Sequence, residues 1–79
     1  MNKKREKKIL EKENAVLQFI KSFMKENGFS PSFREIAAEI NCSVSASYYT
    51  CCNLRKKGII NFLDGKNRTI ILISEGDFK

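Results

Sequence analysis

Apolar residues recur every three or four positions through the first third of the chain, which predicts an amphipathic helix over residues 8–27. Its apolar stripe consists of Ile9, Val16, Leu17, Ile20, Phe23 and Met24. Gly28 follows at the position where a left-handed residue commonly ends a helix. Residues 1–8 are basic and offer little apolar surface to bury, so we expect a flexible N-terminal arm there.

A second, shorter helix is predicted by a capping signal. Ser32 and Glu35 stand three positions apart, the spacing at which the two side chains can cap each other's backbone amides. The apolar stripe that follows is Phe33, Ile36, Ala37 and Ile40. The helix should end near Asn41, a residue that tolerates the left-handed conformation.

A third helix follows after a tight turn. Either Ser43 or Ser45 would cap it, and Gly58 would end it after about residue 57. Its apolar stripe is narrow and consists of Val44, Cys51 and Leu54, with Ser47 small enough to pack closely. The other face shows Ser45, Ala46, Tyr48, Tyr49, Cys52 and Arg55.

Two adjacent tyrosines near the start of the third helix cannot both face one core. At least one of Tyr48 and Tyr49 should be exposed, where its ring and hydroxyl can contact a base edge or a phosphate. The alternative for Tyr48 is that it leans back onto the first helix and closes the edge of the core.

Two β-branched, apolar runs complete the pattern at residues 59–63 and 69–73. They flank residues 64–68, a glycine-containing loop of hairpin length. Alternation would point Ile60, Phe62, Ile70 and Leu72 toward the helices. Ile71 and Ile73 would then form an unusually apolar outer face.

Helix, turn, helix and hairpin in this order predict a winged helix-turn-helix. This is a mainly α fold with three helices and a small β-hairpin as the two-stranded wing. The domain would span residues 9–73, and residues 74–79 read as a polar tail. The fold lays one helix in the DNA major groove, so double-stranded DNA is the expected partner.

Charge and composition agree with a small nucleic-acid-binding domain. The 79 residues carry a net charge of +6, which is concentrated in residues 1–13 and in residues 55–57 at the end of the third helix. No apolar run is long enough to span a bilayer, and the basic start lacks the features of a secretory signal. We therefore expect a cytoplasmic protein of bacterial or phage type with no membrane partner.

The composition offers little for catalysis or metal binding. The chain has no histidine, and Cys42, Cys51 and Cys52 do not have the spacing of a zinc site. Cys51 is expected in the core and Cys52 at the surface. We expect no enzymatic activity, no metal and no cofactor.

The ordered segments resemble the N-terminal DNA-binding domain of the LexA repressor family over about residues 9–73. The matching segments are NGFSPS at 27–32, REIA at 34–37, SVSA at 43–46, LRKKGII at 54–60 and RTIIL at 68–72. The sequence departs from the family at the two tyrosines, where polar or charged residues are usual. It also departs at Ile71, where a basic residue is common.

The resemblance implies which residues contact DNA. The family's base-reading positions fall on Ser43, Ser45, Ala46, Tyr48 and Tyr49. The residues expected at the phosphates and in the wing are Arg34, Cys52, Arg55, Lys56, Lys66, Asn67 and Arg68. The function expected is that of a sequence-specific transcriptional regulator, either a repressor domain or a stand-alone phage or mobile-element regulator.

The resemblance also bears on assembly. Full members of the family carry a C-terminal self-cleaving protease domain that supplies the main dimer interface. Without that interface we expect a monomer or weak homodimer in solution, and a cooperative dimer on palindromic DNA whose half-sites lie one helical turn apart.

Two other function classes compete with DNA binding. A winged helix can bind another protein, here through the outer face that carries Ile71 and Ile73. The third hypothesis is a thiol sensor in which Cys51 and Cys52 bind a soft metal and release DNA.

Overall fold

The computed structural model describes residues 9–73 and shows three helices followed by a hairpin, as the sequence predicts. The elements in chain order are α1 Glu11–Asn27, α2 Phe33–Ile40, α3 Val44–Lys56, β1 Ile60–Asn61 and β2 Ile71–Leu72. The strands form one antiparallel pair. The mainly α, winged helix-turn-helix architecture is therefore confirmed. The predicted arm and tail, residues 1–8 and 74–79, lie outside the described residues.

The first helix begins three residues later than predicted because a carboxylate caps it. Glu13 accepts a hydrogen bond from the backbone N–H of Leu10 at 3.1 Å. Glu13 is only 3% exposed, and its carboxylate also pairs with the ammonium group of Lys57. This ion pair joins the start of α1 to the end of α3. At the other end, Gly28 has φ 81° and stops α1 as expected.

A capping box and a left-handed residue shape the turn around α2. The Ser32 hydroxyl accepts from the Glu35 N–H at 3.2 Å, while the Ser32 N–H donates to the Glu35 carboxylate at 2.9 Å. Asn41 ends α2 with φ 65°. Ser43, rather than Ser45, caps α3 by accepting from the Ala46 N–H at 3.0 Å.

A buried hydroxyl fixes α3 against α2. Ser47 is fully buried, and its hydroxyl lies 3.0 Å from the carbonyl oxygen of Phe33 and 2.8 Å from that of Val44. A larger side chain at this position would push the two helices apart. Ser47 therefore sets the close approach of α3 to α2, which the sequence anticipated only as a small residue.

The core is built from the three helices, β1 and the loops beside the hairpin, and Leu72 of β2 packs against it. Its buried apolar members are Val16, Leu17, Ile20, Ile36, Cys51, Leu54, Ile59, Ile60, Phe62 and Ile70. Val44 was predicted to belong to it, and that prediction is wrong because Val44 is 44% exposed. Val44 is the first residue of α3, one turn before Ser47 meets α2. Thr50 is buried instead, so the buried stripe of α3 begins at Ser47.

The hairpin has a shorter ladder and a longer loop than the sequence predicts, which is strands at 59–63 and 69–73 around a loop at 64–68. Ile60 pairs with Leu72 and Asn61 with Ile71, and residues 62–70 form the wing loop. Side chains replace ladder bonds there: Asn61 accepts from the Phe62 N–H at 2.8 Å, and Thr69 accepts from the Leu63 N–H at 2.9 Å.

The predicted alternation of the hairpin is nevertheless confirmed. Ile60, Phe62 and Ile70 are buried and Leu72 is half-buried. Three apolar side chains remain on the other side, which we call the outer apolar surface: Leu63, Ile71 and Ile73, exposed by 62%, 54% and 56%.

Candidate nucleic-acid interface

The N-terminal half of α3 presents an exposed polar and aromatic face. Ser45 and Tyr49 are exposed there, with Ala46 half-buried beside them. Tyr49 is 67% exposed, and its hydroxyl has no hydrogen-bond partner among residues 9–73. The hydroxyl of Ser43 already caps the helix, so its remaining hydrogen-bonding capacity is smaller than that of Ser45.

Tyr48 lies on the same turn but is held by the protein. Its ring makes edge contacts with Phe33 at 5.3 Å and with Phe62 at 5.8 Å between centroids. The expectation that at least one tyrosine is exposed is confirmed by Tyr49. The alternative that Tyr48 packs on the first helix is wrong, because its ring partners belong to α2 and to the wing loop.

The Tyr48 hydroxyl donates to the Asp64 carboxylate at 2.9 Å, and Arg55 donates to the same oxygen at 3.2 Å. These two donors hold the pKa of Asp64 below its usual range, Tyr48 having the larger effect. The same hydrogen bond raises the pKa of Tyr48, because the carboxylate stabilises the neutral phenol. The sequence analysis assigned no role to Asp64, because its donors lie 16 and nine positions earlier in the chain. The available signal was the seven-residue spacing of Tyr48 and Arg55, which places two hydrogen-bond donors on one face of α3.

Arg55 is turned toward the protein rather than toward solvent. Its guanidinium lies 4.0 Å from the centroid of the Phe62 ring and donates to the Phe62 carbonyl oxygen at 3.1 Å. Its hydrogen bonds to the Phe62 carbonyl and to Asp64 are both donated by Nη1. The phosphate contact that the resemblance implies for Arg55 stays a prediction that must compete with this intramolecular site.

Arg68 has a comparable internal role at the other end of the wing loop. It forms a two-pronged ion pair with Glu35, at 2.9 and 3.0 Å, and donates to the Ser30 carbonyl oxygen at 3.1 Å. Its guanidinium also lies 5.0 Å from the ring centroid of Phe29. The hydrogen bond to Arg68 is the main reason that the pKa of Glu35 lies below its ordinary value. Arg68 therefore fastens the wing loop to the start of α2, and its predicted phosphate contact is untested.

Other predicted contacts remain open to solvent. Arg34 near the start of α2, Lys56 at the end of α3, and Lys66 and Asn67 at the wing tip are all exposed. Within residues 9–73, the side chains of Arg34, Lys56 and Lys66 have no ion-pair partner. Their full charge is available to an anionic ligand.

The cysteines do not form a metal site in the described part of the chain. Cys51 is buried as expected, and burial raises the pKa of its thiol to about 12. This thiol is therefore protonated and unreactive at neutral pH. Cys52 is half-buried beside Tyr48 rather than fully at the surface, which leaves it little access to a phosphate. No cluster of three or more histidine, cysteine or acidic side chains occurs in residues 9–73.

The Glu35–Arg68 pair generates a prediction about acid stability. The folded pKa of Glu35 is lowered, so the stability that the pair contributes is present above the unfolded value of about 4.3 and is lost as pH falls through the folded value. Arg68→Gln should lower Tm at pH 7, and the gap from the parent protein should shrink near pH 3. Circular dichroism melts measure this.

Lys66→Gln is the matched control, since Lys66 carries the same charge in the same loop without an ion-pair partner among the described residues. Its Tm should stay close to that of the parent protein at both pH values. A gap for Arg68→Gln that is equal at pH 7 and pH 3 would contradict a stabilising ion pair.

The comparisons with known proteins agree with this geometry. The LexA DNA binding domain family matches residues 6–69 of the chain. The LexA repressor of Thermosipho melanesiensis is 37% identical over 67 residues, which are 85% of this chain and 34% of that repressor. The LexA repressor of Leptospira interrogans is 35% identical over 69 residues, 87% of this chain and 34% of that protein. The chain thus spans about a third of these relatives. It belongs to the LexA DNA binding domain family.

Proposed function

We propose that this chain binds double-stranded DNA in a sequence-specific manner and acts as a transcriptional repressor by occupying its operator. The observation that carries the proposal is the exposed face of α3, where Ser45, Ala46 and Tyr49 lie. Arg34 on α2 and Lys66 in the wing loop are exposed cations. Neither has an ion-pair partner within residues 9–73. In a LexA DNA binding domain, this arrangement suits a helix seated in the major groove.

The base-reading role falls to the start of α3. Tyr49 offers a flat ring and a hydroxyl with both donor and acceptor capacity, while Ser45 offers a short hydroxyl and Ala46 a methyl group. A methyl group and an aromatic edge suit the C5-methyl of thymine, and hydroxyls can pair with several base edges. We infer that these three side chains carry most of the sequence preference.

The phosphate contacts would flank that face. Arg34 occupies the first turn of α2, where the helix N-terminus itself favours an anion. Lys66 and Asn67 at the wing tip can reach a neighbouring phosphate or the minor groove. Lys56 lies at the far end of α3 and would meet DNA only if the helix lies along the groove.

The proposed mechanism is occupancy, which requires no chemistry and no cofactor. Within residues 9–73, no helix is both long enough and apolar enough to cross a bilayer. We infer a cytoplasmic protein, since DNA is its proposed ligand. Because the relatives are about three times as long, self-cleavage and the response to an inducing signal are not assigned to this chain.

Selection of bound sequences from a random duplex pool, followed by a salt titration, tests the proposal. We expect one enriched sequence and an affinity that falls steeply with salt. Lys66→Ala should flatten the slope of log K against log salt by about one unit, because one phosphate contact is lost. Lys25→Ala removes the same charge at an exposed residue in the last turn of α1, outside the proposed contacts, and should leave the slope unchanged.

A pool that yields no enriched sequence would refute sequence-specific binding. Equal slopes for Lys66→Ala and the parent protein would instead show that the wing does not touch DNA. The two results are independent, so one can fail while the other holds.

A second proposal concerns the assembly of the protein and rests on the outer apolar surface. Leu63, Ile71 and Ile73 lie together on the side of the hairpin that faces away from the helices, and all are more than half exposed. Such a surface suits a protein contact. We propose that the chain is a monomer or weak dimer in solution. Two copies on a palindromic operator would meet through this surface.

Sedimentation at micromolar concentration, with and without a two-site duplex, measures this assembly. We expect one copy per particle without DNA and two copies on the duplex. Ile71→Lys should reduce cooperativity while it leaves binding to a single half-site intact. A tight dimer without DNA would overturn the monomer proposal, and non-cooperative filling of the two sites would overturn the DNA-assisted contact.

A further inference from the structure

The wing loop is fastened to α3 by one carboxylate. Asp64 is the only acidic residue in the loop at 62–70, and two donors from α3 meet at its Oδ1 atom. The donors, Tyr48 and Arg55, are seven residues apart, so they lie on the same helix face two turns apart. One oxygen therefore receives both donors from a single helix face.

The same two side chains also enclose the Phe62 ring. Tyr48 contacts it edge-on with 5.8 Å between ring centroids, and the guanidinium of Arg55 lies 4.0 Å from its centroid. The Phe62 ring and the Asp64 carboxylate therefore both contact side chains of α3. The contact combines packing with charge-assisted hydrogen bonds, which fix direction as well as distance.

The backbone of the hairpin cannot provide this orientation. The ladder contains only two residue pairs, and a two-stranded hairpin of that length is marginal by itself. The wing tip, residues 65–67, lies between Asp64, which docks on α3, and Arg68, which docks on α2 through Glu35. The place of Lys66 relative to the face of α3 therefore depends on these two anchors.

We propose that Asp64 is a positioning residue for DNA binding: it holds the wing against α3 through Tyr48 and Arg55, and it withdraws Tyr48 from base reading. The inference rests on the proposed function. Of the two tyrosines on α3, only Tyr49 would then contact the bases. Tyr48 stands at a position that reads bases in the family, so this chain would use that position for architecture instead.

The state of the two tyrosines supports this division. The hydroxyl proton of Tyr48 is donated to Asp64, and the residue is 37% exposed, whereas Tyr49 is 67% exposed and its hydroxyl has no partner among the described residues. A base contact by Tyr48 would require that it leave the Asp64 oxygen and expose the Phe33 and Phe62 rings. Tyr49 needs no such rearrangement.

The direction in which Asp64→Ala changes the affinity for DNA distinguishes a positioning role from a simple effect of charge. Asp64→Ala removes a negative charge from a DNA-facing loop, so charge alone predicts tighter binding. Positioning predicts weaker binding, by about threefold to tenfold, because the wing contact is no longer held in place. Glu39→Ala makes the same change of charge at an exposed site on α2 and reports the electrostatic effect alone.

The salt dependence links Asp64 to the wing tip. If the carboxylate positions Lys66, Asp64→Ala should flatten the salt slope by about one unit, as Lys66→Ala does. The double variant should flatten it no further, because both changes remove one contact. A general loss of stability would not move this slope. Asp64→Asn keeps an acceptor oxygen for Tyr48 and should retain most of the slope.

Tyr48→Phe tests the second half of the inference. It should weaken binding less than Asp64→Ala does, because Arg55 still donates to the carboxylate, and the pair should be non-additive, while the sequence selected from a random pool stays the same. Tyr49→Phe should leave the loop undisturbed and change the selected sequence or its enrichment. A changed sequence preference in Tyr48→Phe would overturn the proposed division, and so would tighter binding by Asp64→Ala.

Amide hydrogen exchange in the free protein tests the Asp64 anchor without DNA. Tyr48→Phe and Asp64→Ala should each speed exchange in residues 63–67, whereas Tyr49→Phe should not. If the parent protein selects no DNA sequence, the proposed function fails, but this measurement still decides whether Asp64 holds the wing. Unchanged exchange in both variants would show that the anchor does not restrain the loop.

Discussion

A ladder of only two residue pairs supports a nine-residue wing loop, and this constraint explains much of the structure around the exposed face of α3. The backbone alone cannot hold such a loop, so its two ends are fastened by side chains. Asp64 docks on α3, and Arg68 docks on α2 through Glu35. Glu35 also completes the capping box of α2. The geometry of the wing is therefore tied to the two helices of the helix-turn-helix.

The basic residues divide into two groups by what surrounds them. Arg55 and Arg68 contact carboxylates, backbone carbonyls and aromatic rings. They build the scaffold. Arg34 and Lys66 are exposed and have no ion-pair partner within residues 9–73, so they keep their charge for a ligand. A net charge of +6 thus overstates the charge that is free to bind phosphate.

The local elements could be predicted from the sequence because their signals are local. The capping box at Ser32, the left-handed Asn41 and the alternation of the hairpin all follow from spacing and residue type, and all are present. The length of the ladder could not be predicted. It depends on Asn61 and Thr69, whose side chains take the place of ladder bonds in a way that apolar patterning does not reveal.

The roles of individual site residues were harder to predict because they depend on tertiary contacts. A basic wing residue reads as a phosphate ligand until its carboxylate partner is known, and Arg68 meets Glu35, 33 positions earlier in the chain. Tyr48 and Tyr49 are equivalent in the sequence, yet only Tyr48 reaches Asp64. The buried Glu13 also escaped notice, since its partner Lys57 lies 44 positions away.

We propose that the start of α3 and the wing tip face DNA together. Amide chemical shifts measured while a selected duplex is added to the protein test it most directly. We expect the largest changes at Ser45, Ala46, Tyr49 and Lys66, with small changes at Gln18, an exposed residue of α1. Largest changes along Gln18 and its neighbours, with the start of α3 unaffected, would contradict it.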